Sequence, residues 1–350
     1  MMQSSIMIAM SGGVDSAVAA YLASRDRAAA GVTMRVGSNG IGDPFTESND
    51  VADAAAVCKR LGIPHFTADL GARFRQEVVE PFIAAYQRGE TPNPCIFCNK
   101  AIKFGALLQF ALQNGYERIA TGHYIRKEIA GDRTLIRRAA DSGKDQTYML
   151  WSLTQDTLAK CEFPLGLLTK DEVRAIAAEQ DFPMAARKDS QDICFVPDGD
   201  YAALIGRLTG ETPSPGSFID LQGNVLGQHA GQLHYTIGQR KGLGIALGKP
   251  AFVVSKSAAD NTVTLGDNDD LFTTELIAKQ INFIPFDRLD RPQRFLAKTR
   301  YRHAAAPATV EQIDKDTLRV LFDTPQRAIC PGQSLVLYED DYLVGGGIIV

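Results

Sequence analysis

Two kinds of stretch in this 350-residue chain hold side chains able to do chemistry. The first is Met10-Ser11-Gly12-Gly13-Val14-Asp15-Ser16, set between an apolar run (Ile6 to Met10) that reads as a strand and Ala17 to Leu22, which reads as the first turns of a helix. Two adjacent glycines let a strand-to-helix corner turn where a Cβ would clash. The free N–H groups of the helix start then carry the positive end of the dipole, which suits a phosphate. Ser11 and Ser16 add hydroxyls, and Asp15 is a candidate to hold a Mg²⁺ that bridges phosphates. A plain capped helix start is the competing reading of any Gly-Gly pair. The second kind is cysteine. Cys95 and Cys98 lie in Thr91-Pro92-Asn93-Pro94-Cys95-Ile96-Phe97-Cys98-Asn99-Lys100, and Cys194 lies in Arg187-Lys188-Asp189-Ser190-Gln191-Asp192-Ile193-Cys194-Phe195. Two prolines impose an extended approach before a helix running from Ile102. A cysteine at that helix start, with Lys100 and Lys103 nearby, has reason for a lowered pKa and a reactive thiolate. No second cysteine pair or His spacing completes a zinc site, and a thioredoxin-like setting for a redox pair is missing. Cys58, Cys161 and Cys330 sit in ordinary apolar runs and read as buried and inert.

The elements that must position these groups follow from periodicity. Residues 1–204 alternate strand and helix patterns: strands at 28–34, 63–68 and 118–122, helices at 50–61 and 102–113. Such alternation predicts an α/β domain with a doubly wound parallel sheet. Ligands of such sheets sit beyond the carboxyl ends of the strands, where the first loop, Met34 and Gly122 would converge. Met34 is equally a core filler or the wall of an adenine slot. Residues 205–271 are punctuated by glycines between short β-like runs and read as a small β-rich central domain. In 272–350, alternating runs such as Leu318 to Phe322 and Ser334 to Tyr338 read as antiparallel strands of a barrel or sandwich.

Composition narrows the class. A hydrophobic content of 45% over this length can bury the cores of two or three domains. No apolar run approaches the ~20 residues of a membrane span, and no basic region precedes a cleavable apolar segment, so a cytoplasmic location without membrane partners is expected. Six cysteines are too sparse for a disulfide scaffold. A net charge of −4 argues against indiscriminate coating of nucleic acid and leaves room for a local basic face. Arg291, Arg294, Lys298, Arg300, Arg302 and His303 form such a run, with Tyr301 among them for base stacking. An ordinary solvated strand is the competing reading. Gln239-Arg240-Lys241 is a further phosphate-binding candidate. His65, His229 and His234 suggest no function.

Ser-Gly-Gly-x-Asp-Ser resembles the pyrophosphate loop (PP-loop) of the N-type ATP pyrophosphatase superfamily; it is neither a Walker A loop nor a dinucleotide fingerprint. That likeness implies cleavage of ATP between its α and β phosphates, with AMP passing to a substrate oxygen. Further motifs follow in a fixed order: the Thr-Pro-Asn-Pro-x-x-x-Cys-Asn segment, Thr121-Gly122-His123-Tyr124, Lys144-Asp145-Gln146-Thr147-Tyr148, Ser190 to Phe195, Thr236 to Gly244 and Pro331-Gly332-Gln333. With these the chain is similar, over essentially its whole length, to the bacterial tRNA-specific 2-thiouridylases (MnmA type). The resemblance implies an adenine nucleotide alpha hydrolase-like first domain and a C-terminal β-barrel that contacts tRNA. It implies ATP binding by Ala9, Met10, Ser11, Gly12, Gly13, Val14, Asp15, Ser16, Met34 and Gly122. Cys98 matches the family nucleophile and Cys194 the persulfide-bearing cysteine, with a Cys98–Cys194 disulfide formed in turnover. Asn93, Pro94 and Cys95 match the segment touching the target base, and His123, Lys144, Asp145, Gln146, Arg300, Tyr301 and Gln333 match tRNA contacts.

The activity so implied is that of a tRNA-uridine 2-sulfurtransferase. ATP and Mg²⁺ adenylate the C2 oxygen of the wobble uridine in an anticodon stem-loop, and sulfur from a persulfide donor protein replaces it. Two departures from the family pattern stand out. Cys95 occupies a position where many members have Asp; as an auxiliary it could shuttle a proton, or join Cys98 and Cys194 in holding a 4Fe–4S cluster. The run from Arg35 to Phe45 is glycine-rich where the family has aromatic and charged residues. Rival readings are a PP-loop synthetase acting on a small molecule, which needs no paired sulfurs, and a non-catalytic tRNA-binding protein, which needs no intact Ser11 to Ser16.

Overall fold

The computed structural model describes residues 4–37, 50–185, 193–196 and 198–350. Its first layer grows from β1 (Ile6–Ala9), whose Ile6, Met7 and Ile8 have no exposure at all. A strand apolar on both faces belongs in the middle of a parallel sheet covered by helices, and β1 lies there. The chain passes from β1 through α1 (Val14–Ala23) to β2 (Ala29–Arg35), then through α2 (Asp50–Leu61) to β3 (His65–Asp69). It then returns to the other side of β1 with β4 (Arg118–Ala120). With β7 (Cys161–Glu162) at the far edge, the sheet runs β3-β2-β1-β4-β7, every pair parallel. The reversal of strand order falls between β1 and β4. Two cores flank the sheet, one built on the alanines of α1 and on Ala54, Val57 and Cys58 of α2, the other on Phe104, Leu107, Ala111 and Trp151.

The helix foreseen from Ile102 begins eight residues earlier, and Pro94–Gln113 is one continuous helical stretch. Asn93 starts it, its side-chain oxygen accepting the Cys95 N–H at 3.2 Å, and Pro94 follows with a φ already suited to helix. Cys98 therefore stands in the second turn rather than before or at the helix start. At 20 residues this helix is long and apolar enough to cross a bilayer. It is instead a core helix of the first domain, with Ile96, Ile102, Phe104, Leu107 and Ala111 buried.

A second difference lies after β4. Ile125–Ala130 (β5) and Arg133–Arg138 (β6) form a hairpin that periodicity did not announce, and it leaves the parallel sheet. The central region is a four-stranded sheet, β10-β11-β8-β9, from β8 (Gly216–Ile219), β9 (Val225–His229), β10 (Phe252–Ser257) and β11 (Thr262–Gly266), packed on Phe218, Tyr235, Val253 and Val263. The last region is a barrel and not a sandwich. β12 (Phe272–Phe283), β13 (Gln293–Lys298), β14 (Ala306–Asp314), β15 (Thr317–Arg327), β16 (Ser334–Glu339) and β17 (Tyr342–Ile349) close on themselves because β12 pairs with both β15 and β17. The stray hairpin joins this barrel, Arg137 of β6 pairing with Tyr342 of β17.

Candidate active site

The loop after β1 and the loop after β4 meet where the strand order reverses, the place such sheets keep for ligands. A Cβ on Gly122 would stand 2.9 Å from the Asp15 carbonyl carbon and 3.0 Å from the Ser16 nitrogen, so only glycine lets the two loops touch. Gly12 is as constrained, with φ +68° and a Cβ position 2.7 Å from the Asp50 Cα. The loop is tied from within. The Ser16 hydroxyl donates to the Gly13 carbonyl (2.9 Å) and accepts from the Ser11 N–H (3.1 Å) and the Ser11 hydroxyl (3.3 Å). Ser11 is exposed, whereas Met10, Gly12, Val14 and Ser16 are buried. Ala9 is half-buried at the end of β1, and Met34, partly exposed at the end of β2, packs against two apolar clusters.

Asp15 has a different setting from the one its sequence suggests. Its Oδ1 accepts the Lys170 ammonium (2.7 Å) and the Tyr124 hydroxyl (2.8 Å). Lys170, the first residue of the Lys170–Glu179 helix, is 7% exposed. Removing Lys170 would uncover a carboxylate that is itself one-third exposed, at a cost of about 1–3 kcal/mol, below the range for a fully buried pair. Asp50 is the second acid beside the loop, its Oδ1 3.0 Å from the Gly12 Cβ position. One or two carboxylates together with phosphate oxygens are what Mg²⁺ asks of a nucleotide site, and Asp15 and Asp50 fit that need. Neither Lys170 nor Asp50 was picked out from the sequence. The capping box of Thr169 and Glu172 was the available signal for the Lys170 helix.

The sulfur groups lie along the same end of the sheet. His123, directly after Gly122, packs at a tilt against Phe104 of the cysteine-bearing helix, with ring centroids 5.6 Å apart. Cys98 packs in the cluster that contains Phe195 and Ile193, the neighbours of Cys194. All six cysteines are free thiols. Cys58, Cys161 and Cys330 are buried, as their apolar contexts implied; Cys98 is half-buried, and Cys95 and Cys194 are exposed. The lowered thiol pKa expected near Lys100 and Lys103 is not what the surroundings produce. Burial pushes Cys95 and Cys98 up against the opposing effect of Lys103, and Cys194 is pushed up to about 12 by burial and by the proximity of Cys98 and Cys95. Among the described residues no three His, Cys, Asp or Glu side chains converge on a site for a single metal ion.

Several tRNA candidates hold the site together through their own side chains. Gln333 donates to the Thr91 carbonyl at 2.6 Å and Pro331 accepts the Thr91 N–H at 2.9 Å, which moors the Thr91 to Cys95 segment to the barrel. Asn93 contacts the Met149 sulfur at 3.5 Å, and buried Asn99 donates to the Met149 carbonyl at 3.0 Å. Asp145 accepts from the Ala139 N–H and the Thr147 hydroxyl, and Gln146 accepts the Tyr124 N–H. His123 is buried, bonded to the Thr121 hydroxyl at 2.8 Å, and held neutral by burial and by Lys103. Lys144 is half-buried. Arg300 turns inward to the carbonyls of Ile237 and Ala328, whereas Tyr301 is half-buried, bonded to the Asp145 carbonyl and faced by Lys298. The basic run is thus divided: Arg294 pairs with Asp323, while Arg291, Arg302 and His303 are exposed. Arg240 and Lys241 are exposed beside an open depression lined by Arg240, Gly242, Gly244 and Lys249. The Ser190-Gln191-Asp192 part of the third cysteine motif, with Arg187 to Asp189, and the glycine-rich run beyond Gly37 lie outside the described residues.

Comparison with known proteins runs the length of the chain. Residues 4–198 match the family model of the tRNA methyl transferase HUP domain, residues 207–267 the tRNA methyl transferase PRC-barrel domain, and residues 273–349 the aminomethyltransferase beta-barrel domain. The tRNA-specific 2-thiouridylase MnmA of Clostridioides difficile (strain 630) is 45% identical over 355 residues, covering 99% of this chain and 98% of that protein. Its counterpart in Lachnoclostridium phytofermentans is 44% identical, covering 99% of each. Among solved structures, an NH3-dependent NAD synthetase from Campylobacter jejuni is 16% identical with a TM-score of 0.32, covering 54% of this chain and 71% of that one. An NAD+ synthetase from Burkholderia pseudomallei is 16% identical with a TM-score of 0.31, covering 59% and 74%.

Proposed function

The chain belongs to the family of tRNA-specific 2-thiouridylases, and we propose that it makes 2-thiouridine at the wobble position of tRNA, in the cytoplasm, with sulfur from a persulfide donor protein. The observation that carries this reading is the convergence at one end of the sheet of a tied glycine loop and three free thiols. We place the catalytic domain at 1–204, the central domain at 205–271 and the tRNA-contacting barrel at 272–350.

A uridine C2 oxygen is a poor leaving group. It attacks the α-phosphorus of ATP; the new O–P bond forms as the bond to the β-phosphate breaks, and pyrophosphate leaves. The residues from Ala9 to Ser16 with Gly122 and Met34 hold the nucleotide, and the N–H groups at the start of α1 meet the charge of the departing phosphates. Mg²⁺, when bound by Asp15 and Asp50, spreads that charge further. The terminal sulfur of a Cys194 persulfide then bonds to C2 and AMP leaves. The Cys98 thiolate attacks Cys194 Sγ, the bond from Sγ to the substrate sulfur breaks, and its electron pair completes the C2 thiocarbonyl. The Cys98–Cys194 disulfide left behind takes two electrons from a dithiol reductant. If Cys98 attacks first, hydrosulfide is released and bonds to C2 with the same balance. Cys95 is an auxiliary thiol for proton transfer.

The base meets these groups out of its stack, which an anticodon loop permits more readily than a duplex. Asn93, Pro94 and Cys95 receive it, while His123, Lys144, Asp145, Gln146, Arg300, Tyr301 and Gln333 shape the surface that tRNA meets. The test is mass spectrometry of nucleosides from wobble-uridine tRNA incubated with the protein, ATP, Mg²⁺ and a low-molecular-weight persulfide. The expected product is 2-thiouridine with one AMP and one pyrophosphate per event; its absence would sink the reading.

A further inference from the structure

The middle nine residues of the Pro94–Gln113 helix, Cys98–Ala106, are π-helical. Such winding is rare beyond a single turn and concentrates at functional sites. It closes five residues apart here, the Leu107 N–H donating to the Ile102 carbonyl. At the α-helical winding of about 100° per residue, a residue five positions on stands roughly 140° around the axis from the first. Closure from i to i+5 turns it back toward the side of the axis that carries the first. Cys98 and Lys103 are such a pair. Gly105 suits this winding, since a Cβ there would stand 2.9 Å from the Lys100 carbonyl oxygen, closer than a settled contact allows.

The surroundings of Lys103 agree with that placement. It is half-buried and forms no hydrogen bond or ion pair with a described residue, whereas Lys100 is exposed. The charged and titratable groups it acts on come from three elements: Cys95 and Cys98 of its own helix, Cys194 of the 193–196 segment, and His123 after β4. For all three thiols it opposes the upward push of burial, and for His123 it adds to the downward one.

We propose that the π-helical winding is the alignment device of the sulfur centre and that Lys103 is the cation it aligns. Set five residues past Cys98 on the π-helical winding and within electrostatic reach of Cys95 and Cys194, Lys103 stabilises the anionic sulfur that attacks and the one displaced in the exchange between Cys98 and Cys194. This rests on the thiolation reading and adds to it a residue and a reason for an unusual helix.

The experiment uses the full chain with wobble-uridine tRNA, ATP, Mg²⁺ and glutathione persulfide. It measures 2-thiouridine formation, tRNA-dependent ATP/pyrophosphate exchange, and the rate at which iodoacetamide labels Cys98 at fixed pH, read by peptide mass spectrometry. Lys103→Met should lower kcat for 2-thiouridine by about 10²-fold or more, with a far smaller change in exchange and in KM for tRNA. It should also slow Cys98 labelling. Lys103→Arg should recover at least about a tenth of the activity, because the charge is kept. Gly105→Ala should slow labelling and thiolation with Lys103 still in place. Thiolation by Lys103→Met within about threefold of the wild type would overturn the role of Lys103, as would an equal loss of exchange and thiolation. Wild-type labelling and thiolation in Gly105→Ala would overturn the alignment role. If the wild type itself makes no 2-thiouridine, the thiolation reading fails, and labelling of Cys98 still decides for or against Lys103.

Discussion

The phosphate loop and the sulfur centre share one end of a sheet and are built on opposite terms. In the loop from Ser11 to Ser16 the polar groups already have partners: Ser16 with Gly13 and Ser11, Asp15 with Lys170 and Tyr124. The three cysteines of the sulfur centre are free thiols, and their surroundings disfavour the thiolate with Lys103 in opposition. A group that acts by geometry gains from being fixed before substrate arrives. In the proposed mechanism, a sulfur that must be thiol, persulfide and disulfide within one cycle cannot be committed to a single partner. The contrast locates preorganisation in one half of the site and exchange in the other.

The largest effect that could break this division comes from the cysteines. Cys98→Ser and Cys194→Ser should each reduce 2-thiouridine formation by on the order of 10³-fold or more, while tRNA-dependent ATP/pyrophosphate exchange stays measurable. Loss of exchange in both variants would show that the halves act as one unit. The converse change is Gly12→Ala, which forces a Cβ onto a φ of +68° and against Asp50. It should abolish exchange and lower stability by about 1–3 kcal/mol in urea unfolding, with Cys98 labelling unchanged. Altered labelling would mean that the loop also organises the thiols. The smallest effect is alkaline. Burial raises Cys58 to about 11 and Cys161 to about 12, whereas unfolded thiols ionise near ~8.5. Above that pH the unfolded chain binds fewer protons, so this contribution is fully present below ~8.5 and lost as pH rises towards 12. The urea midpoint should fall between pH 8 and pH 10.5, and the fall should be smaller in Cys161→Ser. An equal fall in that variant would remove Cys161 as a source of the pH dependence.

What could be read from the sequence was local. Ile6 to Met10, the Gly-Gly corner and the alanine-rich 50–61 segment are short patterns whose periodicity and turn residues determine them, and each forms the element foreseen. The cysteine helix starts earlier than its sequence suggests because Asn93 and Pro94, which read as an extended approach, are a cap and a first helical residue. The upward shift of the thiols was hidden because burial is a property of three elements, while the lysines beside Cys98 are visible in a single line of sequence. The same holds for Lys170 and Asp15, 155 residues apart, and for Arg300 and Gln333. Their residue types suggested RNA; their hydrogen bonds go to carbonyls of neighbouring elements. The hairpin β5–β6 went unseen because its mixed charge and β-branched residues satisfy a barrel far along the chain.

That hairpin bears on how the chain reaches its structure. Arg137 and Asp341 are bonded at 2.8 Å across 204 residues, and Arg126 reaches the same carboxylate at 2.6 Å. The hairpin that flanks β17 is therefore made long before the barrel strands exist. Such pairings carry a large loop-closure cost before they repay it, which slows folding and leaves strand edges open in the meantime. The first domain, released from a ribosome alone, would carry an unpaired β6 edge and two arginines without their carboxylate. Completion of the barrel and completion of the first domain are consequently one late event in the birth of the chain.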